Sequence, residues 1–367
     1  MKRIILSGIA LLCLASCSKE KDNLDISADS GKVIYESVKK NISSNLTLAK
    51  VFKGAQATDI SFADGNVGYI SGTFESEDTN RSVIAKTTDG GNTWKEISVL
   101  LGKGYKASIT DIYAKSRDSV YAVYSYYGTD PTTYLSEDGG FTWAKISDGP
   151  FMDMHFVTPQ IGFMINYSGL LKTQDGGKNW TRVPAILDNY LYTNENVGHA
   201  GLRGNTIFDN CLFTSENVGY ASLRDGIVCI DDCGPPIGEI YKTIDGGNTW
   251  LKLSSWKEYY PELAFINDDL GYALNDIGDI FQTKDGGETW TLLNRVTRKS
   301  LSYIVAINNN DIYISAEKTV YKTNDKSETI ETIFFSNGSS VGKTIVSDKN
   351  VFVLLPDDGS VLKIDID

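Results

Sequence analysis

Short apolar runs, separated by turns rich in glycine, asparagine and aspartate, recur along the chain from about residue 46 onward. One such pair is Ile84-Ala85-Lys86 before a turn and Lys95-Glu96-Ile97 after it. Runs this short, bounded by turn residues, are typical of β-strands, and a glycine turn between two of them predicts a tight hairpin. The pattern therefore predicts a chain built largely from β-hairpins.

The turns of these hairpins carry one motif, Asp-Gly-Gly-x-Thr-Trp, which we call the Asp-Gly-Gly box. Close copies occupy residues 87–94, 136–143, 173–180, 243–250 and 283–290, and a worn copy at 323–330 lacks the glycines and the Trp. The Asp carboxylate can accept from backbone N–H groups, the glycines supply positive φ, and the Trp supplies a large apolar surface. We therefore expect a structural role for Asp89, Trp94, Asp138, Trp143, Asp175, Trp180, Asp245, Trp250, Asp285 and Trp290.

A second hairpin precedes each box. It reads Phe, a polar turn and Val-Gly-Tyr at 62–69 and 213–220, with Leu-Gly-Tyr in its place at 265–272 and looser versions that end at Tyr121, Phe163, Tyr313 and Phe352. Two hairpins per repeat make a four-stranded antiparallel sheet, and sheets repeated at this spacing predict a propeller. The fold class is therefore all-β, a single seven-bladed β-propeller.

The last repeat is incomplete. It supplies three strands before the chain ends, so the missing strand is expected from residues 46–52, ahead of the first blade. An N-terminal strand that completes the last blade would remove two exposed sheet edges at once. We therefore expect the propeller to span residues 46–367 and to be closed by its N-terminal strand.

The boxes resemble the Asp-box (BNR) repeats of sialidases, sortilin-type propellers and some glycosidases. Together with the Val-Gly-Tyr hairpins, they more closely resemble the propeller family that includes photosystem II stability/assembly factors and many exported bacterial proteins. The resemblance covers residues 46–367 and implies the fold. Because this fold carries many unrelated activities, it leaves three functions open: a binding module, a sialidase-like glycoside hydrolase, or an assembly factor for an envelope complex.

A sialidase-like enzyme would need an arginine triad, a Tyr nucleophile paired with Glu, and an acidic residue. The nearest match to the family's Arg-Ile-Pro motif is Arg182-Val183-Pro184, which follows the third box on an outer strand, where the motif is not expected. His155 and His199 stand alone, without triad or zinc-ligand spacing. These residues favour a non-catalytic role, although abundant Asp and Glu leave glycoside hydrolysis open.

The N-terminus predicts export. Met1-Lys2-Arg3 precedes an apolar stretch that is too short to span a membrane, and Leu14-Ala15-Ser16-Cys17 resembles a bacterial lipobox. Residues 1–17 are thus expected to be a lipoprotein signal peptide with Cys17 lipidated, a plain signal peptide being the alternative. Residues 18–45 form a polar tether with one short helix, and the charged run after Cys17 resembles export tails of Bacteroidetes-type lipoproteins. We expect an outer-membrane or cell-surface protein attached through its lipid alone.

The charge of the chain limits the classes of partner, and the positions of its cysteines predict which thiols are buried or paired. A formal charge of −12 and a pI near 4.8 argue against nucleic acid and anionic lipid, and we expect a monomer. Cys211 falls on an inner strand and should be buried. In an exported protein, Cys229 and Cys233 are expected to form a disulfide, with two free thiols as the alternative.

Long connections are predicted on the face opposite the boxes, where binding residues of rigid scaffolds usually lie. Exposed aromatic rings suit a sugar or a protein partner, although they could instead pack their own loops. The candidates for contact with a glycan or an envelope protein are Tyr105, Tyr126, Tyr127, Tyr190, Tyr192, Arg203, Arg224, Trp256, Tyr259 and Tyr260. Residues 193–202 nearly copy 214–223 and are interpreted as an extra hairpin on this face, or else as a truncated blade.

Polar residues also recur early in the innermost strands. Alignment of the repeats makes Asp59, Asp111, Asp153, Asn210 and Glu262 equivalent. Converging carboxylates could hold a cation such as Ca²⁺, but bonding of each carboxylate to the backbone of a neighbouring blade is the favoured interpretation. The sequence as a whole predicts a non-catalytic binding module for a glycan or protein partner, without a required cofactor.

Overall fold

The computed structural model of this chain describes residues 46–75, 80–97, 107–125, 130–166, 169–184, 186–187, 210–224, 237–257, 261–275, 277–296, 301–309, 311–323, 330–348 and 350–366. Every regular element in these ranges is a β-strand. None of the same residues belongs to a helix long and apolar enough to cross a membrane. The predicted signal peptide, lipidated Cys17 and tether lie outside the described residues.

The strands group into blades as follows. An N-terminal strand, β1 (Leu46–Lys50), precedes blade 1, which contains β2 (Gln56–Phe62), β3 (Gly68–Phe74), β4 (Arg81–Thr87) and β5 (Lys95–Ile97). Blade 2 contains β6 (Ser108–Ala114), β7 (Val120–Ser125), β8 (Thr132–Ser136) and β9 (Ala144–Asp148), and blade 3 contains β10 (Phe151–Phe156), β11 (Gly162–Asn166), β12 (Gly169–Thr173) and β13 (Thr181–Arg182).

After β14 (Ile186–Leu187), blade 4 contains β15 (Asn210–Phe213), β16 (Gly219–Arg224), β17 (Ile237–Thr243) and β18 (Thr249–Lys257). Blade 5 contains β19 (Glu262–Phe265), β20 (Gly271–Leu274), β21 (Asp279–Thr283) and β22 (Thr291–Arg295). Blade 6 contains β23 (Leu301–Asn308), β24 (Asp311–Ala316), β25 (Thr319–Thr323) and β26 (Glu331–Phe335), and blade 7 contains β27 (Thr344–Ser347), β28 (Asn350–Leu355) and β29 (Ser360–Asp365).

Seven antiparallel sheets form a closed ring, as the repeats predict. The innermost strands β2, β6, β10, β15, β19, β23 and β27 each contact the next, and β27 contacts β2. Each sheet therefore packs both of its faces against neighbouring blades. The all-β, seven-bladed propeller predicted from the sequence is confirmed.

The N-terminal strand closes the last blade. β1 is the outermost strand of blade 7 and pairs antiparallel with β29, from Leu46 opposite Ile364 to Lys50 opposite Ser360. The strand is two residues shorter than expected because the N–H groups of Val51 and Phe52 both donate to the Gly359 carbonyl, at 3.0 and 2.9 Å. That turn carries the chain across to blade 1.

Each Asp-Gly-Gly box is held by local hydrogen bonds, and the first box is representative. Asp89 Oδ1 accepts from Thr93 N at 2.9 Å and from Thr87 Oγ1 at 2.8 Å, while Oδ2 accepts from Thr93 Oγ1 at 2.6 Å. Gly90 and Gly91 have φ values of 69° and 80°, which favour glycine. Trp94 Nε1 donates to the Gly91 carbonyl at 3.1 Å. The motif thus specifies its own turn.

The box and the first turn of the same blade lie on one face of the ring, which we call the box face. Gly90 N donates to Asn66 O at 2.9 Å in blade 1, and Gly139 N donates to Asp118 O at 2.8 Å in blade 2. Neighbouring blades are also joined here, since Tyr69 Oη and Lys86 Nζ in blade 1 donate to Arg117 O in blade 2 at 2.6 and 2.8 Å. The opposite face, which holds the other connections, we call the connection face.

Blade 4 has a fifth strand that the sequence does not predict. β14 pairs in parallel with Thr249 and Trp250 on the outer edge of this blade. β13 is short because Pro184 follows it and has no N–H to continue the ladder with β12. The loop after Arg182 thus starts along the side of the ring rather than on the connection face. The near-repeat at 193–202 lies outside the described residues.

We expect Leu46→Ala to destabilise the whole ring. The Leu46 side chain is 4% exposed and packs in a core with Tyr313, Phe334 and Ile364. Loss of a buried leucine costs about 2–4 kcal/mol. Equilibrium urea unfolding measures the change, with Thr47→Ala in the same strand as a control that should lose less than about 1 kcal/mol. Equal, small losses in both variants would contradict closure by β1.

Candidate functional site

One residue from each innermost strand occupies an equivalent position near the connection face. In six blades the strand register fixes it, because its partner lies two residues after the Tyr or Phe of the next strand, as with Asp59 opposite Ser71 and Asp111 opposite Val123. In blade 7 the position falls to Lys343, whose carbonyl accepts from Leu354 N at 2.9 Å. We call this set the channel-mouth ring: Asp59, Asp111, Asp153, Asn210, Glu262, Tyr303 and Lys343.

Irregular backbone positions several of these side chains. The register shifts immediately before Asp59, Asp111, Asp153 and Tyr303, so that one extra residue interrupts each ladder. A β-bulge of this kind redirects the following side chain. The same device therefore recurs in blades 1, 2, 3 and 6 at the point where the ring residues enter the central channel.

Asp59 connects three blades. Its Oδ2 accepts from Ile112 N of blade 2 at 2.8 Å, and its Oδ1 accepts from Ile60 N at 2.8 Å. The same Oδ1 lies 2.9 Å from Lys343 Nζ of blade 7. The carboxylate thus accepts from the backbone of the next blade, which is the favoured interpretation of the sequence. It also forms an ion pair across the junction between the first and last blades.

Lys343 is the cation that the converging carboxylates surround. Burial opposes its charge, but Asp59, Asp153 and Asp111 together raise its pKa. Its side chain nevertheless remains 38% exposed, whereas that of Asp59 is 7% exposed. The ammonium group therefore lies among the carboxylates while still reaching water.

Burial disfavours ionisation of two further ring carboxyl groups. Burial raises the pKa of Asp153, against the charge of Lys343 and hydrogen bonds from the N–H groups of Cys211 and Met154. Burial also raises the pKa of Asp111, and the nearby charge of Asp59 adds to the effect, while its hydrogen bond with Thr110 opposes it. The ring thus holds one carboxylate in a direct ion pair and two carboxyl groups whose pKa is raised.

Five of the ring residues were predicted from the sequence, and Tyr303 and Lys343 were missed. Neither residue is an Asp, Asn or Glu, so a search for recurring polar acids and amides passes over them. Counting back ten residues from Tyr313, the interval that separates Asp59 from Tyr69, gives Tyr303, whereas the same count from Phe352 gives Gly342, one residue before Lys343. No group of three or more His, Cys, Asp or Glu among the described residues has the arrangement of a metal site, and Ca²⁺ at the ring stays an untested prediction.

Most predicted loop contacts fall outside the described part of the chain. This holds for Tyr105, Tyr126, Tyr127, Tyr190, Tyr192, Arg203, Tyr259 and Tyr260, for the side chain of Arg224, and for Cys229 and Cys233. Trp256 is described, and it lies in β18 rather than in a loop. Its ring packs on blade 5, with its centroid 4.7 Å from that of Phe281 and 5.7 Å from that of Trp290. The indole therefore contributes to the packing between blades 4 and 5 and is only partly exposed.

The described arginines do not converge. Arg81 pairs with Glu96 at 2.9 Å, Arg117 pairs with Asp64 at 2.8 Å, and Arg295 Nη2 donates to Asp279 at 2.8 Å. Each pair joins strands or turns in a different part of the ring. Arg182 lies on the outer strand β13, as predicted.

His155 lies at the contact between blades 3 and 4. It lies in β10, where burial lowers its pKa and its ring hydrogen-bonds the backbone of Phe213 in blade 4. Cys211 is buried nearby as a free thiol, and burial raises its pKa well above the usual value. Both groups belong to the packing between blades 3 and 4.

The fold resembles solved propellers of different function. A structure of YCF48 bound to a D1 peptide matches with a TM-score of 0.63 and 17% identity, over 89% of this chain and 98% of that one. YCF48 from Cyanidioschyzon merolae matches with a TM-score of 0.61 and 17% identity, over 88% and 99%. A catalytically inactive virginiamycin B lyase from Staphylococcus aureus, with quinupristin, gives 0.56 and 11%, over 88% and 100%.

No family model and no curated protein matches the chain. At identities this low the likeness to solved structures shows the propeller fold and leaves the activity open.

The ion pair at the ring predicts measurable coupling between blades 1 and 7. We expect Lys343→Met to cost about 2 kcal/mol at pH 7, less than for a fully buried pair because the ammonium is partly hydrated. A double-mutant cycle with Asp59→Asn should give a coupling of about 1–2 kcal/mol. The matched cycle of Arg81→Met with Glu96→Gln, an exposed pair, should give less than about 0.5 kcal/mol. Similar couplings in the two cycles would argue against a special role for Lys343.

Proposed function

We propose that this chain is a non-catalytic, assembly-factor-like propeller of the cell envelope, which binds a segment of a protein partner on its connection face, over the channel-mouth ring. The fold resemblance to YCF48 supports the class of function, since one of those structures is described as bound to a D1 peptide. The position of the site on this chain rests on its own residues.

The observation that carries the proposal is the contrast between the two faces. On the box face, backbone and side-chain groups are used within the ring: the Asp carboxylates hold their own turns, and Lys86, Tyr69 and Tyr220 donate to carbonyls of the next blade. On the connection face, the ring presents partly exposed, incompletely compensated charge. An excess of one charge at this face is suited to a partner of complementary charge.

The charge of the ring favours a protein segment over an anionic partner. Asp59, Asp111, Asp153, Glu262 and Lys343 supply four carboxyl groups and one ammonium group, a formal net charge of −3. Such a cluster repels nucleic acid and acidic glycans and complements a polar or basic peptide segment. Neutral glycans remain the main competing ligand, through the aromatic residues predicted on the same face.

An envelope location follows from the lipobox-like sequence and agrees with the path of β1. Lys50, at the end of this strand, lies beside the turn that contains Gly359 on the connection face, so Leu46 lies toward the box face. A lipid on Cys17 would therefore tether the ring from its box-face side. Residues 18–45 are long enough for the connection face to reach partners away from the bilayer.

The glycoside hydrolase alternative has less support from the described residues. The described arginines Arg81, Arg117 and Arg295 each pair with a local carboxylate instead of converging on one site. The likeness to a lyase shows that enzymes use this fold, but not that this chain is one.

Photo-crosslinking from two exposed positions tests the proposed face. A benzoylphenylalanine replaces Met152, which is 46% exposed next to Asp153, and in a second variant it replaces Phe141, which is 59% exposed in a box. In cells that make the full-length protein, the Met152 variant should give one abundant protein adduct that the Phe141 control does not give.

Adducts from Phe141 alone, or identical adducts from both positions, would place the partner elsewhere. Retention on a neutral glycan array without any protein adduct would favour the glycan alternative. Turnover of any glycoside by the purified chain, abolished by a single carboxylate substitution, would overturn the non-catalytic assignment.

A further inference from the structure

The channel-mouth ring concentrates like charges around one counterion. Carboxyl groups from blades 1, 2, 3 and 5 occupy equivalent positions, and Lys343 of blade 7 is directly paired with Asp59. Asp111 and Asp153 therefore lie in the field of a cation that Asp59 already contacts directly. When carboxyl groups lie close together, the negative charge of one raises the pKa of the next.

The ring carboxyl groups differ in their partners. Asp59 accepts from two backbone N–H groups and lies in direct contact with the Lys343 ammonium. Asp111 has a hydrogen bond with Thr110 and faces the negative charge of Asp59. Asp153 has backbone N–H donors but no direct ion pair.

We propose that the channel-mouth ring is a proton-responsive charge cluster, in which Asp111 and Asp153 take up protons on acidification while the contact between Asp59 and Lys343 holds blades 1 and 7 together. The negative charge that the connection face presents is thereby set by the surrounding pH. This inference goes beyond the proposed function and does not depend on the identity of a partner.

Every charged or titratable group that packs around the cluster fits this account. Glu262 and Tyr303 come from blades 5 and 6, and Asn210 holds the equivalent position in blade 4 without a charge. Tyr113 lies beneath Asp111 in blade 2, and burial raises its pKa to about 12, so it stays neutral. Next to Asp153, burial lowers the pKa of His155 and raises that of the Cys211 thiol.

On the box face, hydrogen bonds lower the pKa of the carboxyl groups instead of raising it. Hydrogen bonds from the Thr289 hydroxyl and N–H lower the pKa of Asp285 to about 2, and bonds from Asn179 lower that of Asp175 to about 2. These groups stay ionised until strong acid. As the pH falls, Asp111 and Asp153 should therefore take up protons before Asp175 and Asp285 do.

The sign of the stability effect follows from linkage. A carboxyl group whose pKa is raised on folding binds more protons in the folded than in the unfolded chain above pH 3.8, so it stabilises the fold at low pH and loses that contribution as pH rises. Each such group increases the unfolding equilibrium constant by up to about tenfold per pH unit within its window.

Urea unfolding between pH 4 and 7 tests the proposal with Asp111→Asn and Asp153→Asn. Asparagine occupies the same position natively in blade 4, so the fold should tolerate it. Each variant should show a smaller rise of the unfolding constant with pH than the wild type, whereas Asp118→Asn on the box face should follow the wild type. Slopes equal to the wild type in both ring variants would overturn the proposal.

Carbon-13 NMR of aspartate carboxyl groups in the full chain provides an independent measurement that requires no stable variant. The signals of Asp111 and Asp153 should titrate with midpoints above 3.8, and those of Asp175 and Asp285 near 2. Midpoints at or below 3.8 for both ring residues would contradict the account.

Discussion

The ring depends on the junction between its first and last blades. Each four-stranded sheet buries both faces only when a neighbour lies on either side, so an open ring would leave two apolar faces exposed. The junction is closed by an apolar core that the two blades share, by β1, which completes blade 7 by pairing with β29, and by Lys343, which pairs with Asp59 across the channel mouth. Asp59 also accepts from blade 2, so a single carboxylate couples the closure to the next interface.

Much of the architecture could be predicted because its determinants are local. The Asp-Gly-Gly box specifies its own turn through bonds within a few residues, as at Asp89 and Thr93, and the count of repeats gives the number of blades. Even β1 could be inferred, because the last repeat lacked a strand. Features that depend on packing between distant parts of the chain could not be predicted from the sequence. Lys343 contacts Asp59 only in the closed ring, and Trp256 packs on Phe281 of another blade.

The two faces of the ring use carboxyl groups in opposite ways. On the box face, hydrogen bonds lower the pKa of carboxylates such as Asp285, so the groups serve the fold in their ionised form. At the mouth, burial raises the pKa of Asp111 and Asp153, and their charge is only partly compensated. The propeller fold is shared by proteins with unrelated activities, so function must reside in such a site, not in the fold itself.

A disulfide across the closing strand tests the central claim most directly. Leu48 and Leu362 are directly opposite in the β1–β29 pair, a placement that brings Cα atoms within disulfide range. In the Leu48→Cys/Leu362→Cys variant, peptide mapping after mild oxidation of the folded protein should find this bond. The unfolding midpoint of the oxidised variant should be higher than that of the same variant after reduction. Two free thiols in folded, oxidised protein would show that the N-terminal strand does not close blade 7. The contact between Asp59 and Lys343 across the junction would then have no support from ring closure.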